Sequence, residues 1–163
     1  MGDSRPAGAA RRLSKWLPVV LWAAVIFLFS TDLFSGENTA GIMSPLVQLF
    51  FPGLSAEDLA LAHFLIRKFG HFTAYFILAV LLMLALTEEP HRPPASGSIM
   101  LAILLVTLYA ISDEFHQSLV PSRGASVIDV LIDMAGGISG TVCFYALSRR
   151  RISPAPALGE RSS

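Results

Sequence analysis

The stretch Tyr109–Gly140, YAISDEFHQSLVPSRGASVIDVLIDMAGGISG, decides how the whole chain is read. It sets carboxylate, imidazole and guanidinium groups inside or beside apolar runs that are too long for ordinary loops. On a helix, Tyr109, Asp113, His116 and Gln117 share roughly a quarter to a third of the circumference, and Asp129, Asp133, Gly136 and Gly140 form a second stripe. The turn between them, LVPSRGAS, carries Arg123. The two polar stripes are therefore expected to meet at one end of a helical hairpin.

Composition names the solvent. The chain has 163 residues, of which 53% are hydrophobic and only 15% charged, with a mean hydropathy of +0.61. Soluble chains carry about 25% charged residues, and here the charges collect in short patches between apolar runs, as in a membrane protein. The single cysteine, Cys143, lies in an apolar run; it excludes a disulfide framework or a Cys-based zinc site and is expected as a small buried side chain. No nucleotide loop, serine-nucleophile motif or nucleic-acid signature is present, and no motif specifies a cofactor.

The expected fold is all-α, a polytopic membrane bundle of four transmembrane helices with one or two short interfacial helices between spans one and two. Residues 1–15 read as a basic cytoplasmic arm, loosely ordered at least as far as Pro6; 16–148 as the membrane domain; 149–163 as a basic, disordered cytoplasmic tail. Span one starts at Trp16, with Pro18 expected in its first turn, where a missing N–H costs least, and no small-x-small cleavage site follows it. ENTAGIMSPLVQLFFPG suits a short interfacial helix interrupted by Pro45 and Pro52. Ser55 and Asp58 match a capping box that starts a helix leading into span two, Gly70 to Leu86. The proline-bearing loop Thr87 to Gly97 precedes span three, Ser98 to Gln117, and span four runs from Val127 to Leu147.

Basic residues flank spans one and four and occur at Arg92 in the middle loop, so these segments are assigned to the cytoplasmic side of a bacterial cytoplasmic membrane, with both termini inside. His71, Asp113, His116, Asp129 and Asp133 then converge on the outer face, in one polar pocket.

Each of these groups has two readings. Asp113, Glu114, His116 and Gln117 either line the pocket or sit solvated at the headgroup level, and Glu114, about 100° from Asp113, suits a partner such as Arg123 or Arg67. Arg67, His71 and Tyr75 share one helix face at i, i+4, i+8, with His63 one step earlier. Two histidines with carboxylates can hold a metal or activate water; the alternative is purely structural. Asp129 fits S-x-x-D with Ser126 as a helix cap, which Asp133 does not. Gly136 and Gly140 should seat span four against span two or three. Arg123 suits either a salt bridge to Asp113 or Asp129, or an anionic headgroup.

Four blocks taken together, R-K-x-x-H-F-x-x-Y (Arg67 to Tyr75), D-E-x-H-Q (Asp113 to Gln117), P-x-R (Pro121 to Arg123) and D-x-x-x-D-x-x-G (Asp129 to Gly136), resemble the VanZ-like family of small bacterial membrane proteins. The family's last block more often reads D-x-x-x-N-x-x-G, so Asp133 stands where a neutral Asn is usual. The resemblance implies a cell-envelope protein of a glycopeptide-resistance-related family, and its recurrent positions fall on Lys68, His71, Tyr75, Asp113, Glu114, Gln117, Arg123 and Asp129.

Two function classes follow. As an enzyme, His71 or His116 would act as general base, oriented by Asp113 or Asp129, with Arg67, Lys68, Tyr75, Glu114, Gln117, Arg123 and Asp133 binding the ligand. As a non-enzymatic protein, the same groups would bind lipid headgroups or lock the helices together. The expected partners are membrane lipid and a lipid-linked or cell-wall precursor. Reporter fusions after Arg151 and within Ser35 to Thr39 test the orientation: the first should report cytoplasm and the second the outer face, and a cytoplasmic signal from both would overturn it.

Overall fold

The computed structural model describes residues 5–31, 36–87, 93–120, 124 and 126–152. Among them are five helices and no strand: α1 (Arg5–Phe29), α2 (Gly36–Phe50), α3 (Ala56–Leu86), α4 (Ser96–Ser118) and α5 (Val127–Ile152). Arg123, His91, Arg92 and the tail beyond Ile152 lie outside the described residues.

The helix starts and stops follow local chemistry. Ser55 caps α3 by accepting from the Asp58 N–H at 3.1 Å, as the capping box requires. Gly53 takes φ +93, a backbone conformation that any Cβ would strain, and so turns the chain from α2 into α3. Two prolines behave differently from the sequence expectation. Helix α1 begins already at Arg5, which makes Pro6 the first-turn proline and leaves Pro18 in the interior. Pro45 likewise lies inside α2, whose helix continues around it to Phe50. A proline deletes one N–H without forbidding helical backbone, and neighbouring turns carry the helix past it.

The capped segment after Ser55 is not a second interfacial helix. It runs without a break into span two, giving a single helix of 31 residues, about 46 Å long at 1.5 Å per residue. The hydrocarbon layer takes about 20 residues; counted back from Leu86, that length reaches Arg67, so the basic pair Arg67–Lys68 falls at the boundary. Three helical segments are long and apolar enough to cross a membrane: Ala56–Leu86, Ser96–Ser118 and Val127–Arg150. The apolar part of α1, Leu13–Phe29, is shorter.

Helix α3 is the hub, touching α1, α2, α4 and α5. Its buried residues Tyr75, Leu78, Ala79, Leu82 and Met83 recur at helical spacing and meet Ala102, Val106 and Ala110 of α4 and Val19 and Ile26 of α1. Outward-facing positions are just as apolar: Phe27, Leu84, Leu108 and Val142 are all exposed, as lipid-facing side chains must be.

Since lipid tails are as apolar as leucine, the helices gain from close backbone contact rather than from hiding oil. The glycines of α5 provide it. A Cβ at Gly136 would run into the Phe72 carbonyl of α3, one at Gly140 into the Phe76 carbonyl, and one at Gly137 into the Val106 side chain of α4. The G-x-x-x-G pair thus seats α5 on α3, and the intervening glycine seats it on α4. Cys143 is exposed rather than buried; it lies about 100° off Phe144, which faces the core. The glycine contacts yield a prediction. Gly136→Leu should lower the thermal aggregation temperature of the detergent-solubilised protein, reflecting a loss of at least about 1–3 kcal/mol, whereas Gly70→Ala, where an added Cβ meets nothing within 4 Å, should be near neutral.

Candidate functional site

The polar groups gather near one end of the bundle in three adjoining networks. Between α3 and α5, the carboxylate of Asp129, fully buried, accepts from Lys68 Nζ and from Arg67 Nη2, the latter at 3.3 Å. One turn deeper, His71 Nδ1 lies 3.1 Å from Asp133 Oδ1. An ionised carboxylate can only accept, so this contact puts the proton on Nδ1 and leaves Nε2 as the other ring nitrogen. Arg67 and His71 are four residues apart on α3, and Asp129 and Asp133 four apart on α5. The two stripes therefore pair rung by rung.

The second network joins α1 to α4. Ser30 Oγ donates to Asp113 Oδ1, and Gln117 Nε2 donates to Asp113 Oδ2 at 3.1 Å. All three residues are buried. Nearby, Tyr109 Oη donates to the Ala23 carbonyl at 2.6 Å, and Trp22 Nε1 to the Ala74 carbonyl at 2.8 Å. These bonds hold α1 in a fixed register beside α3 and α4.

The third network closes the α4–α5 turn. In a complete capping box the N3 acid reaches back to the N-cap N–H. Here Ser126 Oγ accepts from the Asp129 N–H at 3.3 Å, but the Ser126 N–H donates to Glu114 Oε1 on α4. Glu114 thus does what Asp129 would do in an ordinary box and frees the Asp129 carboxylate for Lys68 and Arg67.

A cavity of about 470 Å³ opens beside these networks, between α1, α2 and α3. Ser30, His63, Arg67, His71, Tyr75 and Asp113 form its polar lining; Trp22, Ile26, Phe29, Met43, Ile66 and Phe69 are among its apolar walls. Helix α2 contributes Met43, and its Ser44 Oγ lies 3.4 Å from His63 Nε2. Tyr75 is fully buried with its hydroxyl close to Asp113, and Asp133 Oδ2 has no hydrogen-bond partner among the described residues. No group of three or more His, Cys, Asp or Glu side chains among the described residues is placed to hold a metal ion.

The pattern that defines VanZ/LLP1 matches residues 15–148. The chain belongs to that family. No curated protein and no solved structure matches it.

Within this VanZ/LLP1 chain the expected cluster separates into parts. His71 and Asp113 reach the cavity, and Asp129 and Asp133 stand behind it as partners of α3 side chains. His116 is elsewhere: its ring stacks on Phe27 of α1 with centroids 4.6 Å apart, and it does not line the cavity. The cause is angular, since His116 is about 60° from Asp113 around α4, enough to turn it toward the outer side of α1. Glu114 turns to the Ser126 N–H rather than to Arg67. Ser30, Trp22 and Met43 join the site without having been singled out from sequence. A serine at the end of an apolar span was a visible signal for the first; the other two look like ordinary hydrophobic residues.

The Asp129 network makes a stability prediction. Removing one partner of a buried ion pair costs about 3–5 kcal/mol, because the other charge is stranded. Asp129→Ala should therefore reduce stability strongly in denaturant titrations, and the double change Asp129→Leu/Lys68→Met should recover most of it. Arg67 does not obstruct this recovery, since its side chain is 39% exposed and can reach water.

Proposed function

We propose that this VanZ/LLP1 protein binds an amphipathic, lipid-type or lipid-linked envelope ligand in the groove between α1, α2 and α3, at the outer face of the bacterial cytoplasmic membrane. The observation that carries the reading is the mixed lining of one cavity, in which Arg67, His63, His71 and Asp113 occur together with Trp22, Ile26, Phe29 and Met43. Its volume, about 470 Å³, lies in the usual range for small-molecule sites. A polar head and an apolar tail would each meet matching chemistry.

The same proposal takes α1 as a fourth span, with both termini cytoplasmic. The 17-residue apolar segment of α1, Leu13–Phe29, covers about 25 Å, a modest shortfall that membranes absorb by thinning and by snorkelling of flanking residues. Its contacts support a full crossing. Lys15 Nζ donates to the Thr87 carbonyl at the far end of α3, at 3.0 Å, and Trp22 bonds to Ala74 near its middle. So α1 runs antiparallel to α3 along the apolar part of that helix. Lys15 also supplies positive charge where the C-terminal carbonyls of α3 are exposed.

A second reading has one observation in its favour: His71, held by Asp133, lines the cavity as a general base would. The experiment separates the two. Lipid extracted from the purified protein should be enriched in one amphiphile and chemically intact, and Arg67→Ala or Ala74→Trp, which removes a head contact or fills the groove, should lower its recovery at least about tenfold. A ligand recovered cleaved from the unmodified protein but intact from His71→Gln would assign the general-base role instead. Equal recovery from the unmodified protein and from Ala74→Trp would sink both readings.

A further inference from the structure

Two of the buried carboxylates, Asp113 and Glu114, meet no cation among the described residues, and of these two only Asp113 lines the cavity. Asp129 has Lys68 and Arg67, and Asp133 has His71. Asp113 is only 4% exposed, yet its two partners, Ser30 and Gln117, are both neutral, and no cation is paired with it among the described residues. Neutral donors satisfy lone pairs but not charge, and an unbalanced carboxylate at membrane depth is costly.

The surroundings deepen the imbalance. Ser30 follows directly on the C-terminal end of α1, and Gln117 lies in the last turn of α4. Two helix ends thus direct their carbonyl side, which carries partial negative charge, toward the same place. Tyr75, fully buried and lining the cavity, lies close to Asp113 and brings no charge to it. On the same cavity Arg67 presents a guanidinium, and because it shares Asp129 with Lys68, the two cations exceed the one carboxylate. The cavity therefore carries separated charge, positive at Arg67 and negative at Asp113.

Its mouth also faces lipid. Phe29, Ile66 and Phe69 line the cavity and are 50%, 43% and 71% exposed, so its wall is continuous with the apolar outer surface of the bundle. An occupant can enter sideways from the bilayer without dragging its tail through water.

We propose that the groove takes a zwitterionic aminophospholipid from the surrounding membrane, with the phosphate at Arg67 and the primary ammonium at Asp113. This rests on the groove being a site for an amphipathic ligand. An anionic lipid alone would leave Asp113 uncompensated, whereas an ammonium supplies the missing charge and up to three N–H donors. A quaternary ammonium, with no N–H, would make the charge contact only.

Native mass spectrometry of the full chain in detergent, titrated with phosphatidylethanolamine, phosphatidylglycerol and phosphatidylcholine of identical acyl chains, tests the assignment. The unmodified protein should bind phosphatidylethanolamine at least about tenfold more tightly than the other two. Asp113→Asn, which keeps the shape and the bond from Gln117, reverses the one to Ser30 and removes the charge, should erase that preference while leaving phosphatidylglycerol binding. Tyr75→Phe, which removes only the hydroxyl beside Asp113, should weaken it and serves if the Asn variant does not fold. Equal binding of the three lipids by the unmodified protein, or a preference that survives in Asp113→Asn, would overturn the ammonium assignment and leave the groove as an amphiphile site. Binding of all three that is unchanged when Ala74→Trp fills the groove would overturn the groove itself.

Discussion

A carboxylate placed below the headgroups cannot fall back on water, and in this protein that constraint reaches from single side chains to the arrangement of the helices. Asp129 and Asp133 are fully buried on α5, and the basic side chains that meet them, Arg67, Lys68 and His71, stand on α3. Pairing them fixes both the rotation of each helix and their relative height, since Arg67 with Asp129 and His71 with Asp133 match only when the four-residue steps of the two helices are in register. The few kcal/mol lost by an unpaired ion in hydrocarbon exceed anything that one apolar contact between helices could return.

Glycine makes that pairing reachable. Gly136 and Gly140 continue the stripe of Asp129 and Asp133 along α5, and they bring its backbone against the carbonyls of Phe72 and Phe76. Bulkier residues there would hold α5 away from α3. Lys68 and His71 would then reach for carboxylates across a gap. The polar rungs and the small-residue seam belong to one surface, with the rungs at one end and the seam below. Glu114 extends the arrangement to α4 by taking over half of the α5 capping box.

The cavity lies where this tight packing stops. Helix α1 meets α3 and α4 through single hydrogen bonds, from Trp22 to the Ala74 carbonyl of α3, from Tyr109 of α4 to the Ala23 carbonyl and from Ser30 to Asp113 of α4, rather than through a glycine seam. Helix α2 borders the cavity with Met43. Of the elements that border the cavity, α1 and α2 each meet α3 through fewer close backbone contacts than α5 does.

Much of this was legible in the residues themselves. Apolar run length, the Ser55 capping box, the small-residue spacing on α5 and the i, i+4, i+8 face of Arg67, His71 and Tyr75 are local properties, set by helix geometry and by the absence of water, and they pointed to the family and to a close seat for α5 on α3 or α4. What needed the tertiary structure was anything decided by rotation about a helix axis or by a partner distant in sequence. A turn of about 60° took His116 away from the site and onto Phe27. The competition between Glu114 and Asp129 for the Ser126 N–H was settled by where α4 ends in space. Ser30 became a partner of Asp113 across 83 positions of chain, a relation that no local pattern encodes. Sequence periodicity states which residues share a face; only packing states what that face meets.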